Sequence, residues 1–168
     1  MSQLDVRPCR GCNWCAKHGQ CIQRDDMDSL YPRLAASDGL VVAAPVFFYG
    51  LPAQLKAVID RAQMFWNRKY RLRLPVRQPP RARGRGVLLS VGATTGRQLF
   101  TGTVLTVKYF FDALDVDYGG DLLLRGIDAR GEVKEDSQAM EQAAGLGKNL
   151  VAGFSGAGRE NKVEMENE

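Results

Sequence analysis

Six consecutive residues without a polar side chain, Gly39-Leu-Val-Val-Ala-Ala44, are followed by Pro45 and then by a stretch whose apolar residues recur at helical spacing. The run is too short for a helix and reads as a strand buried on both faces. Pro45 ends it, because proline brings no N–H to a ladder. Gly50 lets the chain turn and Pro52 suits the first turn of a helix. Leu55, Val58, Ile59 and Ala62 then give a helix, running to about Trp66, one apolar face. A second unit of this kind starts at Gly86. Gly86-Val-Leu-Leu-Ser-Val is another buried strand, residues 92–96 form a loop, and a helix over about 98–114 carries Leu99, Val104, Val107, Phe110 and Phe111. Strands that alternate with helices build a parallel sheet, so the fold class is α/β.

In such sheets ligands sit at the carboxyl ends of strands, which makes both loops candidate sites. The first, Pro45, Val46, Phe47, Phe48, Tyr49 and Gly50, sets three aromatics in a row where loops are usually polar. They either cap the core or meet another subunit, or they form a platform for a flat aromatic ligand. The second, Gly92, Ala93, Thr94, Thr95 and Gly96, offers small residues and two hydroxyls. It allows close backbone approach to a polar ligand, with a plain strand-to-helix turn as the alternative.

Cys9, Cys12, Cys15 and Cys21 follow the spacing C-x2-C-x2-C-x5-C, with Gly11 and Gly19 supplying free backbone. Soft thiolates so close together suit an iron–sulfur centre or zinc; free or redox-active thiols are the third reading. His18, the only histidine, lies between Cys15 and Cys21 and is read as a solvated loop residue, since four thiolates complete a site without it. Four cysteines within thirteen residues do not resemble a secreted disulfide framework. A reducing cytoplasm is the expected setting.

The remaining elements are shorter. Gln3–Arg7 alternates and reads as a strand closed by Pro8. Asp25-Asp26 cap a helix over about 27–37, with Leu30 and Leu34 on its apolar face and Pro32 inside. A last strand runs over 116–124 and a last helix over 132–154, weakened by Gly145 and Gly147. At 168 residues the chain makes one domain, and 45% hydrophobic with 25% charged residues is ordinary for a globular protein. No apolar run approaches the roughly 20 residues of a membrane span, and the opening residues carry no signal-peptide pattern.

The net charge of +4 is unevenly spread: Arg68, Lys69, Arg71, Arg73, Arg77, Arg81, Arg83 and Arg85 occur with no acidic residue among them. With Pro75, Pro79 and Pro80 this block, 67–86, reads as an extended basic loop. It is either solvated or a site for a phosphorylated cofactor; no nucleic-acid-binding motif accompanies it, so nucleic acid is not an expected partner.

P-V-F-F-Y-G-x-P-A-Q-L-K-x-x-I-D-R, from Pro45 to Arg61, resembles the signature of the NADPH-dependent FMN reductase family, and the resemblance extends from about Cys9 to about Phe154. It implies a flavodoxin-like three-layer sandwich with a parallel sheet, in which residues 45–50 lie against the isoalloxazine ring of FMN and residues 92–96 lie near it. The cysteine spacing is similar to that of the iron–sulfur flavoproteins of the same family, where it holds a [4Fe–4S] cluster beside FMN. The implied function is an FMN-dependent oxidoreductase. Small-molecule donors such as NAD(P)H deliver the electrons, which pass to a flavin, quinone or other acceptor, and the chains form homodimers or homotetramers. The basic block would then meet the 2′-phosphate of NADPH. No catalytic acid or base is singled out. Two other functions stay open: a metal-binding or electron-relay module without flavin, and a remnant that acts through oligomer contacts.

Relatives begin with a strand, a phosphate-cradling loop of the kind G-S-P-R-x-x-G-N-T and a helix, and this sequence starts after them. The expected domain, 1–154, is therefore N-terminally incomplete, with a cysteine-rich segment at 8–24 and a disordered tail at 155–168. A start at an internal methionine of a longer gene, a fragment, or a repacked N-terminal segment would each account for the missing unit.

Overall fold

The computed structural model describes residues 4–79 and 82–153. Among these the elements follow as α1 (Cys15–His18), α2 (Met27–Ala36), β1 (Gly39–Pro45), α3 (Ala53–Arg61), α4 (Gln63–Trp66), a π-turn (Asn67–Arg71), β2 (Gly84–Gly92), α5 (Thr101–Ala113), β3 (Val116–Arg125), a 3₁₀ turn (Glu132–Glu135) and α6 (Ser137–Ala152). The sheet has the order β1-β2-β3 and is parallel throughout, with Val42 opposite Leu88 and Leu89 opposite Leu122. This is the expected α/β architecture.

Side chains alternate across the sheet. Val42 and Leu88 point into the main core with Ile59, Phe65, Val107, Phe110 and Phe111 from the helices. Their neighbours Ala43 and Leu89 line an apolar hollow of about 460 Å³ shared with Met140 and Ala143 of α6. β1 was expected to be buried on both faces, yet Val41 is 54% exposed and Ala43 is exposed as well. The reason is position: β1 is an edge strand, and α6 packs against β2 and β3.

Other expectations change in detail. No strand forms over Leu4–Arg7; the Asp5 and Arg7 N–H groups donate to the carboxylates of Asp26 and Asp25, at 2.7 and 3.1 Å, instead of to a ladder. Asp25, not Asp26, caps α2, accepting from Met27 N–H at 3.0 Å. The helix after β1 stops at Arg61, restarts as α4 and ends in the π-turn, so the basic block is not a loop from its first residue. The helix expected from residue 132 starts at Ser137, where Asp136 accepts from Ala139 N–H at 2.9 Å. Gly145 and Gly147 sit within that helix without breaking it. Phe154 and the tail at 155–168 lie outside the described residues. Among those described, no helix is long and apolar enough to cross a membrane.

Candidate functional site

The two loops predicted from sequence meet at the carboxyl end of the sheet. Val46 N–H donates to the Val91 carbonyl at 2.8 Å, carrying the β1–β2 pairing one residue past Pro45. The chain then reverses. Phe47 N–H to Gly50 O, at 2.9 Å, and Gly50 N–H to Phe47 O, at 3.0 Å, close a two-residue turn over Phe48 and Tyr49. Both turn residues have positive φ, 49° and 60°, as in the type I′ turn that ordinarily selects Asn-Gly. Aromatic residues in this region carry strain of about 1–3 kcal/mol each. The strained turn projects its side chains outward: Phe48 is fully exposed, with Phe47 and Tyr49 at 58% and 50%. An exposed aromatic cluster marks a surface that meets a ligand or a partner.

Tyr49 reaches across to the second loop. A Cβ on Gly96 would lie 2.6 Å from Tyr49 Oη, and one on Gly102, in the first turn of α5, would lie 2.9 Å from the Tyr49 carbonyl oxygen. Glycine at these two positions lets the hairpin, the loop after β2 and the start of α5 close on one another. Gly92 is itself the last, buried residue of β2, so the exposed loop is Ala93, Thr94 and Thr95, with Gly96 half-buried. A third segment joins them. Ile127 N–H donates to Gly92 O at 3.3 Å, and Arg125 donates to the carbonyls of Gly96 and Arg97 at 3.4 and 3.3 Å. The Arg125 guanidinium also lies 5.2 Å from the centre of the Phe100 ring. Sequence reasoning did not select Arg125; a cation closing an apolar strand at its carboxyl end was the available signal. Aromatic faces beside a small-residue loop suit a flat, polar-edged ring, which can stack on the former and hydrogen-bond to the latter.

The cysteines lie elsewhere. Cys9, Cys12, Cys15 and Cys21 line one pocket together with Arg61, Gln63 and Met64. They are therefore at the far end of α3 from the hairpin, a helix about 12 Å long from Ala53 to Arg61. All four are free thiols, and none is fully buried. His18 is on the short helix α1, not in a loop, and stacks on Trp14 with ring centres 3.7 Å apart. Among the described residues no three Cys, His, Asp or Glu side chains converge on the position of a single metal ion.

Arg61, the last residue of the I-D-R motif, fixes this pocket. Its fully buried guanidinium donates to Asp25 at 2.6 Å, to Arg7 O at 2.9 Å and to Gln23 O at 3.4 Å. It thus staples both ends of the cysteine segment to α3. Tyr31 closes the staple by donating to Arg61 O at 3.1 Å. Burial works to raise the Asp25 pKa, but Arg61 and the N–H groups of Arg7 and Met27 outweigh it and hold the carboxyl below its usual range. Burial pushes the Cys15 thiol up, opposed by a hydrogen bond from Asn67. Part of the basic block is paired within the protein. Lys69 pairs with Asp112 and Asp115 at 3.0 Å, Arg77 with Asp38 at 2.8 Å and Arg83 with Asp117 at 2.5 Å. Arg68 donates to the carbonyl of Pro75 at 2.7 Å.

Comparison with known proteins identifies the family. Residues 1–98 match the family described as NADPH-dependent FMN reductase. An iron–sulfur flavoprotein of Methanosarcina thermophila is 37% identical over 94 residues, which are 56% of this chain and 44% of that protein. An iron–sulfur flavoprotein of Methanocaldococcus jannaschii is 29% identical over 161 residues, 90% of this chain and 76% of that one. The chain thus spans less than half the length of the first of these relatives. Among solved structures a flavone reductase superposes with a TM-score of 0.58 at 17% identity, covering 83% of this chain and 50% of that chain. This likeness concerns the fold, which is flavodoxin-like.

Proposed function

The chain belongs to the NADPH-dependent FMN reductase family, and on that premise we propose an FMN-dependent oxidoreductase of the iron–sulfur flavoprotein type. The observation that carries this reading is the meeting of the two loops, with Tyr49 Oη against Gly96. FMN fits there by chemistry: its ring would lie against Phe47, Phe48 and Tyr49, and its polar edge would face Ala93, Thr94, Thr95 and Gly96. When bound, FMN supplies hydride and single-electron transfer. The chain's own residues orient it: the hairpin sets the plane of the ring, and Arg125 holds the loop from 96 to 97 in place.

The donor set of the second site fits a [4Fe–4S] cluster: four thiols on short spacings line a single pocket. Cys9, Cys12, Cys15 and Cys21 would hold the cluster, and the cluster would supply one-electron relay. NAD(P)H is the proposed electron donor and a small molecule such as a quinone or free flavin the acceptor, in a cytoplasmic homodimer or homotetramer.

One observation favours a second reading. The cysteine pocket shares no residue with the two loops, so it would hold iron without any flavin, as an electron-relay module. A single experiment separates the two. Protein purified without oxygen and supplemented with FMN is scanned in the visible range, and flavin, iron and sulfide are released by acid and assayed. Flavin bands over a broad sulfur-to-iron shoulder are expected. Iron and sulfide without flavin would move the assignment to the relay module, and colourless protein would overturn both.

A further inference from the structure

Asn67 opens the π-turn, closed by Leu72 N–H to Asn67 O at 2.9 Å, a form of backbone common at functional sites. The residue is 2% exposed, so water does not compete for its side chain. The amide nitrogen has two hydrogens and two acceptors: Gln63 O at 3.0 Å and Cys15 Sγ at 3.2 Å. The bond to Gln63 fixes the amide plane and aims the second N–H at the sulfur. Cys15 is 52 residues away in sequence and packs against the main core.

We propose that Asn67 is a positioning residue for the cysteine pocket, which orients the Cys15 thiolate and raises the reduction potential of the centre held there. The proposal rests on the reading of that pocket as a cluster site. An N–H directed at a ligand sulfur favours the more negative, reduced state, and such hydrogen bonds are among the terms that set iron–sulfur potentials. The reduction in question adds one electron, with dithionite as donor, and makes or breaks no bond.

The test compares wild type with Asn67→Leu, which keeps the branched shape of the side chain and removes both donors. Each is reconstituted with iron and sulfide and titrated with dithionite. The variant should bind the same iron and sulfide, with its reduction equilibrium weakened about tenfold, a potential ~59 mV lower. An unchanged potential in an intact cluster overturns the proposal and leaves the cluster reading standing. Wild-type protein that takes up no iron and sulfide overturns both. Should Asn67→Leu fail to fold, the side-chain amide of Asn67 is followed by NMR in cluster-free wild type and Cys15→Ala. Hydrogen exchange of one amide proton should speed up at least tenfold in Cys15→Ala, and unaltered exchange overturns the proposal.

Discussion

The cysteine pocket and the aromatic hairpin sit at opposite ends of α3 and are held in opposite ways. The cysteine segment has little regular structure beyond the four-residue α1, yet a fully buried guanidinium and a buried carboxylate clamp its two ends. The hairpin is regular, closed by two backbone hydrogen bonds, yet its turn places Phe48 and Tyr49 at positive φ and leaves the aromatics in solvent. The first region is stable because of what lies beneath it. The second carries strain at Phe48 and Tyr49, which the proposed ligand above it would explain. Tyr49 has an internal contact at Gly96, but Phe48 is fully exposed at a positive φ, and costly geometry with exposed aromatic area is what the proposed ligand surface would require.

The largest expected effect comes from breaking the clamp. Arg61→Ala leaves Asp25 buried without its partner, and removing one member of a buried pair costs roughly 3–5 kcal/mol. Urea unfolding should show a loss of this size, and limited proteolysis should cut within residues 9–24. Replacing both members, Arg61→Met with Asp25→Leu, should recover much of the loss, because two apolar side chains leave no orphaned charge. Arg7 lies 3.6 Å from the same carboxylate but is 55% exposed, so Arg7→Ala should cost less than about 1 kcal/mol. If all three variants behave alike, the clamp is not what holds the pocket.

The clamp also has an acid limit. The folded-state pKa of Asp25 lies below its usual value, so its contribution to stability is complete above the unfolded pKa of about 3.9. It is lost as pH falls through the lower, folded value. The urea midpoint of wild type should therefore fall below about pH 4 by more than that of the Arg61→Met, Asp25→Leu double variant. Equal acid sensitivity would assign the loss to other carboxylates.

The hairpin should respond in the reverse sense. Phe48→Asn together with Tyr49→Gly supplies the pair that a type I′ turn prefers, and relief of two strained residues should raise stability by about 1–2 kcal/mol. The same change removes the proposed ring platform, so FMN binding, followed by quenching of its fluorescence, should be largely lost. Gain of stability with loss of binding is the signature of a turn strained for a ligand. Unchanged FMN affinity would leave the aromatics as an interface between copies.

This contrast explains what was legible in the sequence. The strand-loop-helix units announce themselves by short-range pattern, so β1, α3, β2 and their loops fall where the apolar runs put them. The clamp does not. Asp25 and Arg61 are 36 residues apart and Asn67 and Cys15 are 52 apart, and no local period joins either pair. One signal was present: Arg61 falls three residues after Val58 and four after Ala57, on the buried side of α3. An arginine in an apolar stripe requires a partner, but sequence does not say which carboxylate supplies it. Leu4–Arg7 misled for a related reason. Its alternation suits a strand, and two distant carboxylates took the N–H groups that a strand would have used.

The smallest expected effect is the sharpest test of how the two loops cooperate. Gly96→Ala places a methyl group where Tyr49 Oη now lies, at 2.6 Å. Gly96 has no positive φ to lose, and the obstructing atom is the end of a side chain that can swing aside. Stability should therefore change by no more than about 0.5 kcal/mol. Tyr49 must leave the second loop, and the shared surface opens. FMN affinity should fall about tenfold, or ~1.4 kcal/mol, with the fold intact. Tyr49→Phe removes only the hydroxyl that stands against Gly96, so combining it with Gly96→Ala should restore most of the affinity. Restoration would locate the effect in the contact between the loops, and a double variant as weak as Gly96→Ala alone would place it in the loop after β2 by itself.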